Sequence, residues 1–268
     1  ITEKLKISKQ KTNYTLFPKD KYELDKMIND EIKQNGNECS LNHIDTSKIT
    51  DMEDLFMHSP FIGDISEWDV SSVTDMRSMF YNSNFNGDIS NWDVSNVKNM
   101  SYMFGRSIFN QDISGWDVSY VINMSSMFYE SKFNSDISNW DVSNVVNMNS
   151  MFNNSQFNGN ISKWSVSKVA DMQSMFMNSA FNSDISEWNV SRVTDMSFMF
   201  QNSFFNKNIA NWNVSNVIDM RNMFGYNKKF NQDISNWKIN NTCNTLCMFK
   251  ECSIEDKYKP FKNGERIK

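Results

Sequence analysis

The chain has 268 residues, 39% of them apolar and 22% charged, with a net charge of −5 and a pI near 5.2. No Lys/Arg stripe recurs along it, which excludes the basic face that nucleic-acid recognition requires. No apolar run reaches the roughly 18 residues of a membrane-spanning helix.

Residues 1–16 are polar and contain several lysines. They read as a loosely ordered or extended arm. Ile1-Thr2-Glu3-Lys4 is not a signal-peptide pattern, and without an initiator Met the start of the sequence is silent on targeting. Residues 17–40 read as a helical N-terminal cap. Pro18 precedes a capping-box-like pair, Asp20 with Glu23. Leu24, Met27, Ile28 and Ile32 then form one apolar stripe, and Gly36 offers a stop.

From about 41 to 249 the chain is an internal repeat. Its tryptophans fall at Trp68, Trp92, Trp116, Trp140, Trp164, Trp188, Trp212 and Trp237, at intervals of 24 residues except the last, which is 25. One unit runs from Phe85 to Phe104 and is joined to the next by Gly105-Arg106-Ser107-Ile108. The inserted residue lies in the connector Gly225–Lys229, where a length change disturbs least. Ile44, Ile49, Met52, Leu55 and Phe56 match Trp68, Val73, Met76, Met79 and Phe80, so a degenerate first coil begins near residue 41.

Each unit has about eight apolar positions: Phe85, Ile89, Trp92, Val94, Val97, Met100, Met103 and Phe104 in this copy. Burying each contributes roughly 1.5–3 kcal/mol. Ordering 24 backbones costs roughly 1–2 kcal/mol apiece. A single unit therefore cannot fold alone and must stack into a solenoid. Asp88-Ile89-Ser90 alternates polar, apolar, polar, which predicts a short strand with Ile inward. Asn99-Met100-Ser101-Tyr102-Met103-Phe104 predicts one or two helical turns, with Asn99 as N-cap and Met100, Met103 and Phe104 on one face. The expected fold class is α/β: a curved, leucine-rich-repeat-like solenoid of about eight coils, each with one short strand and one short helix. At about 4.8 Å per strand it would span roughly 40 Å.

Residues 250–268 leave the repeat and become charged, as a C-terminal cap or tail would. Cys39 lies at one end of the chain and Cys243, Cys247 and Cys252 at the other, so a four-cysteine metal site is excluded. The C-terminal three fit no strong zinc spacing; cap packing is the expected role and a disulfide the alternative.

The run Asp88-Ile89-Ser90-Asn91-Trp92-Asp93-Val94-Ser95-Asn96-Val97, followed by Asn99-Met100-Ser101-Tyr102-Met103-Phe104, resembles the BspA-type leucine-rich repeat family of bacterial surface proteins. The resemblance covers about residues 61–249. It implies a horseshoe with strands on the concave face, and a secreted or cell-surface bacterial protein engaged in adhesion or protein binding. This chain departs from the family in filling its core with Phe, Ile, Trp and Met rather than Leu.

Site-like chemistry is confined to a ladder of carboxylates before the inward Ile: Asp64, Asp88, Asp112, Asp136, Asp184 and Asp233, interrupted by Asn160 and Asn208. A catalytic pair should be singular, and six copies of one residue argue for scaffold. Turn or edge hydrogen bonding is the expected role and calcium bridging a competing one, although the glycine-rich calcium repeat is absent. The two histidines, His43 and His58, accompany no nucleophile or acid motif. The expectation is therefore no enzyme, no cofactor and no metal.

Binding information should lie where copies differ. The position before each Trp varies most in charge, with Lys163 and Glu187 as its extremes, and the position two after Phe varies too (Gly63, Gly87, Gln111, Ser135). With the Asp ladder these form the candidate ligand-binding face, for a protein or glycan partner. An intracellular scaffold or inhibitor with one protein partner is the alternative reading.

Overall fold

A computed structural model describes residues 13–268. The repeat is a solenoid, and each coil is held by short side-chain-capped turns rather than by a strand and a helix.

In the coil that begins at Phe85, Asp88 Oδ1 accepts the Ser90 N–H at 2.9 Å, and the Trp92 N–H closes a turn onto the Ile89 carbonyl at 3.2 Å. Asp93 Oδ1 then accepts both the N–H and hydroxyl of Ser95, and the Val97 N–H returns to the Val94 carbonyl. Asn99 Oδ1 accepts from Ser101 in the same way. These are Asx turns, in which a short carboxylate or amide side chain bonds its own backbone two residues on. Ser107 Oγ plays the same part for the Phe109 N–H that opens the next coil.

The expected strand at Asp88-Ile89-Ser90 does not form. Alternation there reflects an inward Ile between two turn-forming polar residues, and the Ile89 carbonyl is engaged by Trp92 and by the Trp116 indole. Among the described residues, the only bridge on this column is Ser40 to Asp64. Parallel bridges instead join the expected N-cap positions Asp75, Asn99, Asn123, Asn147, Asp171, Asp195 and Asp219 in succession, and extend to Asp51 and Asn244 at the two ends.

The expected helix at Asn99–Phe104 does not form either. Alternate N–H groups point sideways: Met100, Tyr102, Phe104 and Arg106 donate to Asn123, Ser125, Met127 and Tyr129 of the next coil. The intervening ones, Met103, Gly105 and Ser107, close turns onto carbonyls three residues back. Tyr102 and Arg106 hold φ of 58° and 56°, the left-handed region that no α-helix contains. Two such residues recur in every coil from Asp54/His58 to Cys247/Glu251. The α/β coil, and with it the strand-and-helix horseshoe, is thus replaced by a ladder of turns. Met at i and i+3 with Phe at i+4 faces inward in both arrangements, which is why the spacing misled.

The core is continuous along the stack. Phe, Ile, Trp, Val and Met of each repeat are buried, nearly all fully. Phe80, Phe104, Phe128, Phe152, Phe176, Phe200, Phe224 and Phe249 form a column with ring centroids 5.6–5.9 Å apart. A second column runs from Phe61 to Phe230 at 6.2–6.4 Å. Each Trp indole N–H reaches back to an Ile or Leu carbonyl of the preceding coil, as Trp140 Nε1 does to Ile113 at 3.1 Å. The buried aromatic thus keeps its polar atom paired.

Helix α1 spans Lys21–Asn35. Asp20 accepts the Glu23 N–H and Glu23 accepts the Lys19 N–H, and Gly36 ends the helix at φ 84°. Leu24 and Ile28 are buried in the core, with Met27 and Ile32 packed against it. Of the expected arm, residues 1–12 lie outside the described residues. Thr15 and Leu16 are not loose: their N–H groups donate to His43, and the Leu16 carbonyl accepts from Asp45.

At the other end the repeat persists half a coil further than its residue types suggest. Ile254 is buried where a Phe would stand, the Glu255 N–H donates to Asn231 Oδ1, and the Tyr258 carbonyl accepts from Ile234. A short 3-10 helix at Asp256–Tyr258 and the hairpin β1 (Phe261–Lys262) and β2 (Glu265–Arg266) complete this cap. All four cysteines are free thiols. Cys243 is buried, and that burial pushes its thiol up to about 11.

Candidate functional site

The Asp ladder lies on an exposed face. Asp64, Asp88, Asp112, Asp136, Asp184 and Asp233 each use Oδ1 to accept the backbone N–H two residues on, at 2.9–3.0 Å. Asp64 Oδ2 also accepts from the Asn42 amide at 2.7 Å. In the other five, Oδ2 has no hydrogen-bond partner among the described residues.

The Ser90 backbone N–H bond holds the Asp88 carboxyl below its ordinary value, and bonds to Ser114, Ser138, Ser186 and Ser235 do the same for Asp112, Asp136, Asp184 and Asp233. The opposing push from neighbouring carboxylates is smaller, as with Asp112 acting on Asp88. A hydrogen bond to the charged form outweighs like-charge repulsion at this exposure. At these five positions the face therefore presents ionised carboxylates in fixed orientation.

Where the ladder is interrupted, Asn160 and Asn208 make the same turn through their amide oxygens at 3.0 Å. The turn needs an acceptor, not a charge. Hydrogen bonding is thus the structural role of the column, as expected. Among the described residues no three His, Cys, Asp or Glu side chains converge as a metal site would require.

Lys163 and Glu187 are exposed at the corner before the buried Trp. The second variable position differs from expectation at Gly63 and Gly87. A Cβ on Gly63 would run into the Cys39 carbonyl, and one on Gly87 would press on the Phe85 ring at 2.8 Å. Part of that column is therefore backbone, shaped by packing.

Two sets of residues escaped the sequence reading. Asp69, Asp93, Asp117 and Asp141 form a second carboxylate column just past the Trp, also turned onto their own backbones. Their recurrence five residues after the first ladder was the available signal. Burial raises the pKa of Tyr14, and the charges of Asp45, Asp69 and Glu67 add to it. Segments 64–69, 88–93, 112–117 and 136–141 of this corner carry Asp64, Glu67, Asp69, Asp88, Asp93, Asp112, Asp117, Asp136 and Asp141 and no Lys or Arg; in later coils Lys163, Lys168 and Arg192 enter.

The second set is the Asn that follows each Phe. Asn86, Asn110, Asn134, Asn158, Asn182 and Asn206 each offer Oδ1 to the backbone N–H of the matching residue in the next coil, at 2.8–3.0 Å. This ladder ties coils together where the bridges do not. His43 meets Glu31 of α1 at 3.6 Å, and His58 pairs with Asn82 at 2.8 Å.

Among the described residues no helix is long and apolar enough to cross a membrane. No curated protein and no solved structure matches the chain. The family described as "Mycoplasma protein of unknown function, DUF285" matches at residues 23–132, 107–204 and 178–259. These overlapping matches run almost from cap to cap, follow the repeat, and show that the chain belongs to that family.

Proposed function

We propose that this chain is a non-catalytic binding solenoid, displayed at a bacterial surface, that contacts a protein or glycan partner through its acidic face. The observation that carries this reading is the ladder of ionised Asp side chains at Asp88, Asp112, Asp136 and Asp184, each locked by its Ser N–H with Oδ2 left over. Locked carboxylates lose little side-chain entropy when a partner arrives. A single-signed array also steers a cationic partner toward itself. Surface display and adhesion follow from the likeness to BspA-type repeats.

The test uses substitutions the chain already tolerates. Asp88→Asn, Asp112→Asn and Asp136→Asn together keep every turn, as Asn160 and Asn208 do, while removing three charges. The fluorescently labelled protein is incubated with host cells and with a control lacking exposed surface protein. The triple variant should bind at least tenfold more weakly at low salt, with an unchanged urea midpoint. Full binding by the triple variant, and by Lys163→Glu with Glu187→Lys, would overturn this assignment of the face.

A further inference from the structure

A different face carries an apolar patch that the fold does not need. On the column Thr50, Thr74, Lys98, Ile122, Val146, Ala170, Thr194 and Ile218, each backbone N–H from Thr74 onward donates to the carbonyl one coil back at 2.8–2.9 Å. Such a ladder position favours β-branched side chains. Thr satisfies that preference here: Thr74 and Thr194 are exposed and turn their hydroxyls onto the lateral carbonyls of Thr50 and Ala170 at 3.2 Å. In the middle of the solenoid the same position becomes Ile122 and Val146, 48% and 40% exposed, followed by Ala170. Tyr120, two residues before Ile122, is 64% exposed and is separated from it by the buried Val121. Its column is otherwise Ser72, Asn96, Asn144, Lys168, Arg192 and Asn216.

The patch has a charged border. Lys98 lies one coil before Ile122, and Lys168 and Arg192 follow Tyr120 on its column. Lys168 is held against Asn144 Oδ1 at 2.5 Å, beside Val146. The carboxylates nearest in sequence on the other side, Asp171 and Asp195, are half-buried with Oδ1 committed to the N–H groups of Gln173 and Ser197. Asp117 and Asp141, three residues before Tyr120 and Asn144, mark where the acidic corner begins.

We infer that Tyr120, Ile122, Val146 and Ala170, bordered by Lys98, Lys168 and Arg192, form a docking patch for an acidic amphipathic segment of a partner protein. Its apolar side chains cover Ile122 and Val146, and its carboxylates meet the three cations. Charge complementarity selects this occupant over a second copy of the same face, because self-pairing would set these cations against one another. An aromatic beside aliphatic anchors, with Arg at the rim, is the composition of an interface centre. The patch is independent of the acidic face, and its partner has the opposite charge.

The probe is a fluorescein-labelled (Glu-Leu)4 peptide, with (Lys-Leu)4 as comparison, titrated by polarisation against the intact chain. The acidic peptide should bind and the basic one at this site should not, with affinity falling as salt rises. Ile122→Thr with Val146→Thr reproduces the residue found at Thr74 and Thr194. It should leave the urea midpoint unchanged and weaken the acidic peptide at least tenfold. Lys168→Glu with Arg192→Glu should weaken it similarly while leaving (Lys-Leu)4 binding at the acidic corner in place. Absence of acidic-peptide binding at millimolar peptide, or equal binding by the Thr variant, would overturn the proposal. A destabilised Thr variant would also overturn it, because the apolar residues would then be serving the fold.

Discussion

Replacing Ser150 by Gly tests the turn ladder directly, because a helix and a turn ladder predict opposite signs. Ser150 sits at φ 55°, and its hydroxyl has no hydrogen-bond partner among the described residues. Its N–H donates to the Gln173 carbonyl at 2.8 Å, and its carbonyl accepts from Asn153, bonds that glycine keeps. A non-glycine residue in the left-handed region is disfavoured by about 1–2 kcal/mol. Glycine removes that penalty but adds about 0.5–1 kcal/mol of unfolded-state entropy. The balance is a stabilisation of up to about 1.5 kcal/mol, at roughly 2–4 °C in Tm per kcal/mol for a chain of this size. In the middle of a helix the same substitution would destabilise by about 0.5–1 kcal/mol. Val at this position should be clearly destabilising, since a branched Cβ is an outlier at positive φ. Urea unfolding followed by tryptophan fluorescence gives the order Gly, Ser, Val from most to least stable, and Ser78→Gly at φ 53° should repeat it. A loss of about 0.5 kcal/mol or more for both Gly variants would refute the left-handed geometry.

Other outcomes follow from the lateral bonds. Trp140→Phe removes the indole donor to Ile113 and part of a buried ring, while the Trp116 N–H still satisfies that carbonyl. The expected loss is about 2–3 kcal/mol in urea midpoint, less than a full truncation. Asn134→Ala leaves the Asn158 N–H without its acceptor and should cost about 1 kcal/mol, whereas Asn134→Asp keeps an acceptor and should be nearly silent. Acid sensitivity follows from the lowered carboxyls at Asp88, Asp112, Asp136, Asp141, Asp184 and Asp233. Their folded pKa lies below the unfolded one, so their contribution is complete above the unfolded value and is lost as pH falls through the folded one. Urea midpoints should be level near neutrality and drop only in the acid range, and Asp112→Asn with Asp136→Asn should flatten that drop.

The tryptophan spacing made the register and the core legible, because burial follows side-chain period whatever the backbone does. Asp20, Leu24, Ile28 and Gly36 placed α1 to within a residue at each end. The backbone inside each coil was not legible. Met100, Met103 and Phe104 share a face in a helix and in a ladder of turns alike. Glycine, which would have betrayed positive φ most plainly, is missing from these positions: they hold Ser78, Tyr102, Glu130 and Phe198, with Asn82, Asn154, Asn178 and Asn202 a partial signal that was not used. The Asn ladder was visible as a recurrent residue after Phe. Its role was not, because its partner is a backbone N–H 24 residues away.

The repeat supplies its own control for separating scaffold from surface. At the Asp ladder, Asn160 and Asn208 keep the bond without the charge, so the turn does not need the charge at the five positions from Asp88 to Asp233. At the lateral column, Thr74 and Thr194 keep the branch without the apolarity, so the column does not need the apolarity of Ile122 and Val146. What the fold does not require in some coils and yet displays in others is available for recognition. The acidic corner and the basic-rimmed apolar patch adjoin one another but differ in physics. Binding at the first should collapse as the Debye length shrinks to about 3 Å at 1 M salt. Binding at the second should keep the share carried by Tyr120, Ile122 and Val146, so a salt titration on the intact chain separates the two faces without mutation.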